Sequence, residues 1–203
     1  MNTIKSVKHA ADLLKCSNVP VSVAARVLAR EPDSPVTRAL KLWGDDENPF
    51  KHLITSDSNE ARVWRETMGI LLKNLRPASS RRTVWRGWYF DSARARKRLW
   101  KELDSRAVFR NTRVGMSASR SRRIACRPEF VNEHGALWEI RSPWSARDLA
   151  PIFRKIGAKY PEQREVVFPK GVKFELVAKP GWTTVRRDGQ SRKVRHYIVQ
   201  EKP

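Results

Sequence analysis

The chain has 203 residues, 40% of them hydrophobic, and a formal net charge of +21. This is enough apolar material for one ordinary globular domain plus a smaller helical region, and it excludes a low-complexity or wholly disordered protein. No apolar run approaches the roughly 18 residues of a membrane span, and the N-terminus MNTIKSVKHAADLLKC lacks the long apolar centre and small-residue cleavage site of a secretory signal. A soluble, cytoplasmic protein with no membrane partner is therefore expected. Cys16 and Cys126 match no metal-ligand spacing, so no metal is expected either. The charge is uneven: residues 1–80 carry 12 Lys/Arg against 9 Asp/Glu, and residues 81–203 carry 30 against 12. An anionic partner would meet the C-terminal part.

In chain order, Ile4, Val7, Ala11 and Leu14 are spaced as on one face of a helix over 4–15. A second helix is predicted from Pro20 through Val21, Ala24, Val27 and Leu28, and a third from Pro35 to Trp43, ended by Gly44 and the acidic turn Asp45-Asp46-Glu47. The clearest helix begins where Asp57 and Glu60 have capping-box spacing and carries the stripe Trp64, Met68, Leu71, Leu75 until Pro77 stops it. Apolar stripes of this kind are core rather than site. Residues 1–77 thus read as a helical layer, joined to the C-terminal part by a Pro, Ser and Arg-rich connection over 76–82.

After this connection the pattern shifts toward strands. Thr83 to Phe90 is strand-forming yet carries Arg86 and Gly87 at its middle, which reads either as an edge-strand charge beside a bulge or as a cation placed for an anion. Residues 92–103 predict a basic helix with Leu99, Trp100 and Leu103 on its apolar side. The small, hydroxyl-bearing stretch Val114 to Ser119 comes next, then Arg120-Ser121-Arg122-Arg123, the alternating strand Ala136 to Ile140, and a helix over Ala146 to Ile156. Tyr160 to Arg164 is a polar loop that runs into the strand Val166 to Phe168, a Pro-Lys-Gly turn and a strand over Val172 to Val177. Glu165, where that loop becomes an apolar strand, is either a charge paired with a surface cation or a functional carboxylate. The tail reads as a hairpin around Asp188-Gly189, so the class is α+β.

Three features stand in a fixed order: Arg86-Gly87, Ser117-Ala118-Ser119 and Gln163-Arg164-Glu165. Over residues 83–200 this resembles the arginine, Ser-x-Ser, Gln/Glu-x-Glu signature of the mono-ADP-ribosyltransferases related to cholera-type and clostridial toxins. Trp85-Arg86-Gly87, and Ser117-Ala118-Ser119 followed by Ile124-Ala125, are most similar to the small enzymes of tailed bacteriophages. The resemblance implies an N-terminal helical region over 1–77 and, over 83–203, a split β-sandwich core that takes NAD as substrate.

It also implies roles. Glu165 would stabilise the positive charge that develops on the ribose, with Ser117 holding it. Arg86 would grip NAD with its guanidinium fork, Gly87 would let the cofactor approach the backbone, and Ala118 and Ser119 would complete the cofactor strand. Arg127, in Arg127-Pro128, matches a phosphate-contacting loop, although Ile124 stands where the clostridial enzymes carry an aromatic. Tyr160 matches the aromatic of the substrate-recognition loop. Gln163 replaces the second glutamate of the arginine-modifying branch; it can hydrogen-bond an amide or a base edge but cannot act as a base, while Glu162 next to it is a carboxylate.

The basic runs Arg94–Lys101 and Arg120–Arg127 flank the strands implied to hold NAD. They point to an acceptor that is acidic or carried on nucleic acid: an RNA polymerase subunit, a ribosome-associated protein, or RNA or DNA itself. Three readings stand: a phage-encoded transferase acting on host proteins, the same chemistry on a guanine-type base, and a basic nucleic-acid-binding module with an inactive transferase fold.

Overall fold

The computed structural model describes residues 7–45, 56–105, 108–112, 114–187 and 189–202. These fall into two compact units, one made of 1–78, 112–116 and 146–170, the other of 79–111, 117–145 and 171–203. The predicted helix over 4–15 begins outside the described residues. Asp46 and Glu47 of the predicted acidic turn, and Asp188 of the predicted hairpin turn, lie outside them too.

In the first unit a short 3-10 helix, Ala10–Leu14, replaces the predicted N-terminal amphipathic helix. Its three-residue repeat buries Ala10 and Leu13 rather than Ala11 and Leu14. The helices α1 (Val21–Arg30), α2 (Pro35–Gly44) and α3 (Asn59–Asn74) come after it. Each lies close to its predicted position, because apolar periodicity and end signals agree. Ser34 caps α2 by accepting from Thr37 N (3.2 Å), with Pro35 in the first turn. The cap of α3 is Ser58, accepting from Ala61 N (3.2 Å), and not the predicted Asp57.

The predicted helix over Ala146 to Ile156 divides in two. Residues Arg147–Asp148 form a short strand, β5, and α6 (Ala150–Ile156) begins only where Pro151 fits a first helical turn. β5 pairs antiparallel with β6 (Glu165–Pro169), Arg147 opposite Val167 and Asp148 opposite Val166. One core joins α1, α2 and α3 to α6 and β6, through Leu28, Leu40, Trp43, Met68, Leu72, Phe153 and Val167. The helical layer therefore packs around the strand that begins with Glu165.

In the second unit the strand order is β2 (Val108–Arg110), β7 (Lys173–Leu176), β9 (Gln190–Lys202), β4 (Ala136–Arg141), β1 (Val84–Trp88) and the C-terminal part of β3 (Gly115–Ser119). A further strand, β8 (Gly181–Arg187), pairs with the first half of β9. β4 and β9 run parallel and the other pairs antiparallel. The length of β9 comes from its partners, since successive stretches meet β8, β4 and β7.

β4 is buried on both faces, as a central strand must be. Leu137 meets Ala125, Val131, Val185 and Val194 on one side. On the other, Trp138 lies against Trp88, Phe109 and Phe174 with ring centroids 5.2, 5.1 and 6.0 Å away. Two helices complete the unit: the basic α4 (Ala93–Ser105) and the short α5 (Arg122–Ala125), which the sequence pattern did not indicate. The strand β2 was also unforeseen, because three residues are too few to show a period.

His196 on β9 stacks on Trp85 at 6.4 Å and lies 3.5 Å from Glu139, which Arg141 also holds at 2.9 Å. Burial pushes its pKa below the usual 6.5; Glu139 opposes this, and Arg122 and Arg141 reinforce it. The unfolded chain consequently binds the proton first. The stability contributed by the neutral imidazole is present above about pH 6.5 and is lost as pH falls toward the lower folded-state value. The melting temperature is expected to drop between about pH 7 and 5 by less in His196→Gln than in the wild type. Equal drops in the two proteins would contradict this.

Candidate active site

Glu165 and the two candidate recognition residues, Tyr160 and Gln163, belong to the first unit. Tyr160 caps a 3-10 turn, Pro161–Gln163, in which Gln163 N donates to Tyr160 O (3.2 Å). This fixes the two candidate recognition residues on one turn, both half-buried. The turn is anchored upstream, where Lys159 N donates to the Asp45 carboxylate (2.8 Å) beyond the end of α2. Arg164 then takes φ = 50°, a left-handed conformation uncommon outside glycine, and reverses the chain direction into β6.

The reversal buries Glu165, whose residue is only 7% exposed. Its backbone O accepts from Leu149 N (3.0 Å), and its Oε1 accepts from the indole N–H of Trp43 at 2.6 Å. A carboxylate taken this far out of water requires such partners. Its burial sets it apart from a solvent-exposed strand-edge charge.

Arg86, Gly87, Ser117, Ala118, Ser119 and Arg127 belong to the second unit. Arg86 lies on β1 between β4 and β3, opposite Trp138, so it is not an edge-strand charge. Its Nη1 donates to Ser117 O, and its guanidinium lies 4.4 Å over the Trp88 ring. Two of the predicted site residues are thus brought together, through the Ser117 carbonyl. Ala118 is buried, and Ser119 Oγ accepts from Ser121 N (3.0 Å). Ser121 in turn caps α5. Arg127 is half-buried just after α5; its N–H donates to Ile124 O (2.9 Å) and its carbonyl accepts from Phe130 N and Val131 N.

Gly87 acquires a physical cause that the sequence did not suggest. A Cβ there would lie 2.4 Å from Ala125 O and 2.7 Å from Phe130 O, both backbone atoms, so the chain's own packing demands glycine. Gly87→Ala should cost about 3 kcal/mol, as overpacking against unyielding backbone does. An unchanged urea midpoint would contradict that expectation.

No family model matches the chain, and neither does any curated protein sequence. Solved structures do. Exoenzyme S from Pseudomonas aeruginosa, crystallised with carba-NAD, superposes with a TM-score of 0.54 at 13% identity, over 82% of this chain and 72% of that one. The ADP-ribosyltransferase Vis of Vibrio splendidus gives 0.54 at 15% over 95% and 90%. Plx2a, an ADP-ribosyltransferase toxin of Paenibacillus larvae, gives 0.51 at 13% over 93% and 100%.

The fold is that of the mono-ADP-ribosyltransferases.

In this transferase fold Trp43 is the residue that sequence reasoning missed. It lies on an apolar helix face, where a core role is the default, and nothing in its spacing marks it. The one available signal was chemical, since a buried indole N–H needs an acceptor. Trp43 also stacks on Trp64 at 5.7 Å and 12°.

The second unit of the transferase fold carries a further exposed feature. Cross-strand partners share a face, so Trp182, Thr184 and Arg186 of β8 lie with Arg195, Lys193 and Ser191 of β9. Trp182 is 59% exposed, and the Arg195 guanidinium sits 5.5 Å from its ring. Arg94, Lys97, Arg98 and Lys101 are exposed on α4. Among the described residues no group of His, Cys, Asp and Glu could hold a metal, and no helix is long and apolar enough to cross a membrane.

Proposed function

We propose that the chain is an NAD-dependent mono-ADP-ribosyltransferase that modifies a host protein of the transcription or translation machinery, and that it serves as a bacteriophage effector in the host cytoplasm. The observation that carries this reading is the buried Glu165 at a loop-to-strand junction, on a fold shared with exoenzyme S, itself crystallised with carba-NAD. In the reaction the bond between the ribose C1′ and the pyridinium nitrogen breaks, its electron pair leaves with neutral nicotinamide, and an acceptor atom bonds to C1′ and loses its proton. Positive charge grows on the ribose in between. Glu165 opposes that charge in a partly dry site, and Ser117 supports it.

Arg86 binds NAD through a phosphate or the adjoining ribose, since a guanidinium suits paired oxygen acceptors. Gly87, Ala118 and Ser119 line the cofactor strands, and Arg127 adds a phosphate contact. Tyr160 and Gln163 face the acceptor. Gln163 suits an amide or a heterocycle edge and makes arginine less favoured as the target.

A second reading, transfer to a nucleic-acid base, draws support from the β8–β9 face. There an exposed indole stands among cations, a combination that stacks bases and neutralises phosphates. Incubating the protein with labelled NAD and host lysate tests both. Label lost with protease supports the protein acceptor, and label lost with nuclease supports the base. A protein that binds nucleic acid with strong salt dependence and labels nothing would be the inactive module.

A further inference from the structure

We propose that Trp43 is the positioning residue for the Glu165 carboxylate, which makes the helical layer a working part of the active site rather than a cover. The proposal rests on Glu165 being the catalytic group. The geometry is specific: a 2.6 Å hydrogen bond from the indole N–H to Oε1, between groups 122 positions apart in sequence. The indole itself is held. One face stacks on Trp64, whose own N–H donates to Ala39 O (3.3 Å). The far edge of the indole meets Gly115, where a Cβ would fall 2.6 Å from Trp43 Cη2 and 2.8 Å from Val167 Cγ1. A ring pinned in this way cannot turn its N–H aside without moving α3 or β6.

This bond does two things. It fixes the plane of the carboxylate, so that the ribose meets a preoriented acceptor. It also favours the charged form, since an N–H donor stabilises a carboxylate over the acid and so opposes the effect of burial.

Charged side chains lie on every neighbouring element of the first unit. On β5, Arg147 donates to Leu72 O (2.8 Å) and Asp148 accepts from Ala150 N (3.2 Å). Glu162 and Arg164, which lead into Glu165, are exposed, Lys41 on α2 is half-buried, and Arg65 on α3 donates to Ser56 O. The remaining charged residues of α2, α3 and α6 are exposed. Among these groups the Trp43 indole N–H is a neutral donor that reaches the carboxylate from within the core.

The test is Trp43→Phe, which keeps a ring against Trp64 and removes the donor. Where that variant folds poorly, benzothienylalanine at position 43 keeps the bicyclic shape without the N–H. With either, NAD hydrolysis should lose about 10-fold or more in kcat with little change in KM for NAD. The acidic limb of the rate profile, and the carboxyl ¹³C titration of Glu165 assigned by its loss in Glu165→Gln, should move up by about one pH unit. Wild-type kcat and an unmoved titration in a folded variant overturn the proposal.

Failure of the function is distinguishable from failure of the contact. A wild-type protein that turns over no NAD sinks the transferase reading, and with it Trp43's catalytic purpose. The titration difference between wild type and variant reads the contact separately: no difference overturns the contact, whatever the activity.

Discussion

Glu165→Gln is expected to lower kcat for nicotinamide release and for ADP-ribose transfer by about 10³-fold, while KM for NAD changes by less than about threefold. The substitution is nearly isosteric, and a glutamine oxygen can still accept from the Trp43 N–H, so the fold and the local contact persist. What disappears is a negative charge. In the proposed reaction that charge matters only when the ribose becomes cationic, so its loss falls on the transition state and not on NAD binding. A 10³-fold loss corresponds to about 4 kcal/mol of stabilisation, a reasonable share for one fixed charge in a site from which water is largely excluded. The check is a full rate-against-NAD curve for both proteins, with thermal melts to show equal folding. A variant that keeps wild-type kcat removes Glu165 from the mechanism.

The second large effect belongs to Arg86→Lys. The charge is retained, but the planar fork is not. Lysine cannot lie flat over Trp88, where the guanidinium now sits at 4.4 Å, while also donating to Ser117 O. KM for NAD should rise about 10- to 100-fold, the loss associated with a charge-assisted hydrogen bond, with a smaller drop in kcat. NAD affinity by calorimetry provides the check. If affinity is unaltered, Arg86 serves the strand rather than the cofactor, and the melting temperature should then fall instead.

These two residues also show how far the sequence could be read. Apolar periodicity placed α1, α2 and α3 well, because in helices burial and local propensity agree. It failed at Arg147–Asp148, where strand pairing with β6 overrode a helix-like pattern. It failed also at the N-terminus, where a 3-10 turn took the place of an α-helix. Both failures come from tertiary contacts that no local window contains.

For the candidate site, motif order singled out Arg86, Ser117 and Glu165. It did not show that Arg86 is interior to a sheet, that Gly87 answers to the carbonyls of Ala125 and Phe130, or that Glu165 has an indole donor. Trp43 was the hardest to see. Its helical spacing predicts core, its burial confirms core, and its role lies in a single polar atom aimed at a residue 122 positions away. Only the folded chain displays that kind of information.

The most direct measurement of the proposed reaction is mass balance with purified protein. NAD carrying separate labels on its nicotinamide and adenosine parts is incubated with the wild type and host lysate, and both products are counted. The proposed chemistry predicts free nicotinamide in amounts equal to the ADP-ribose attached to the acceptor plus that released by hydrolysis, with both signals lost in Glu165→Gln. Intact NAD after incubation with folded wild-type protein, or equal release by the variant, would contradict it.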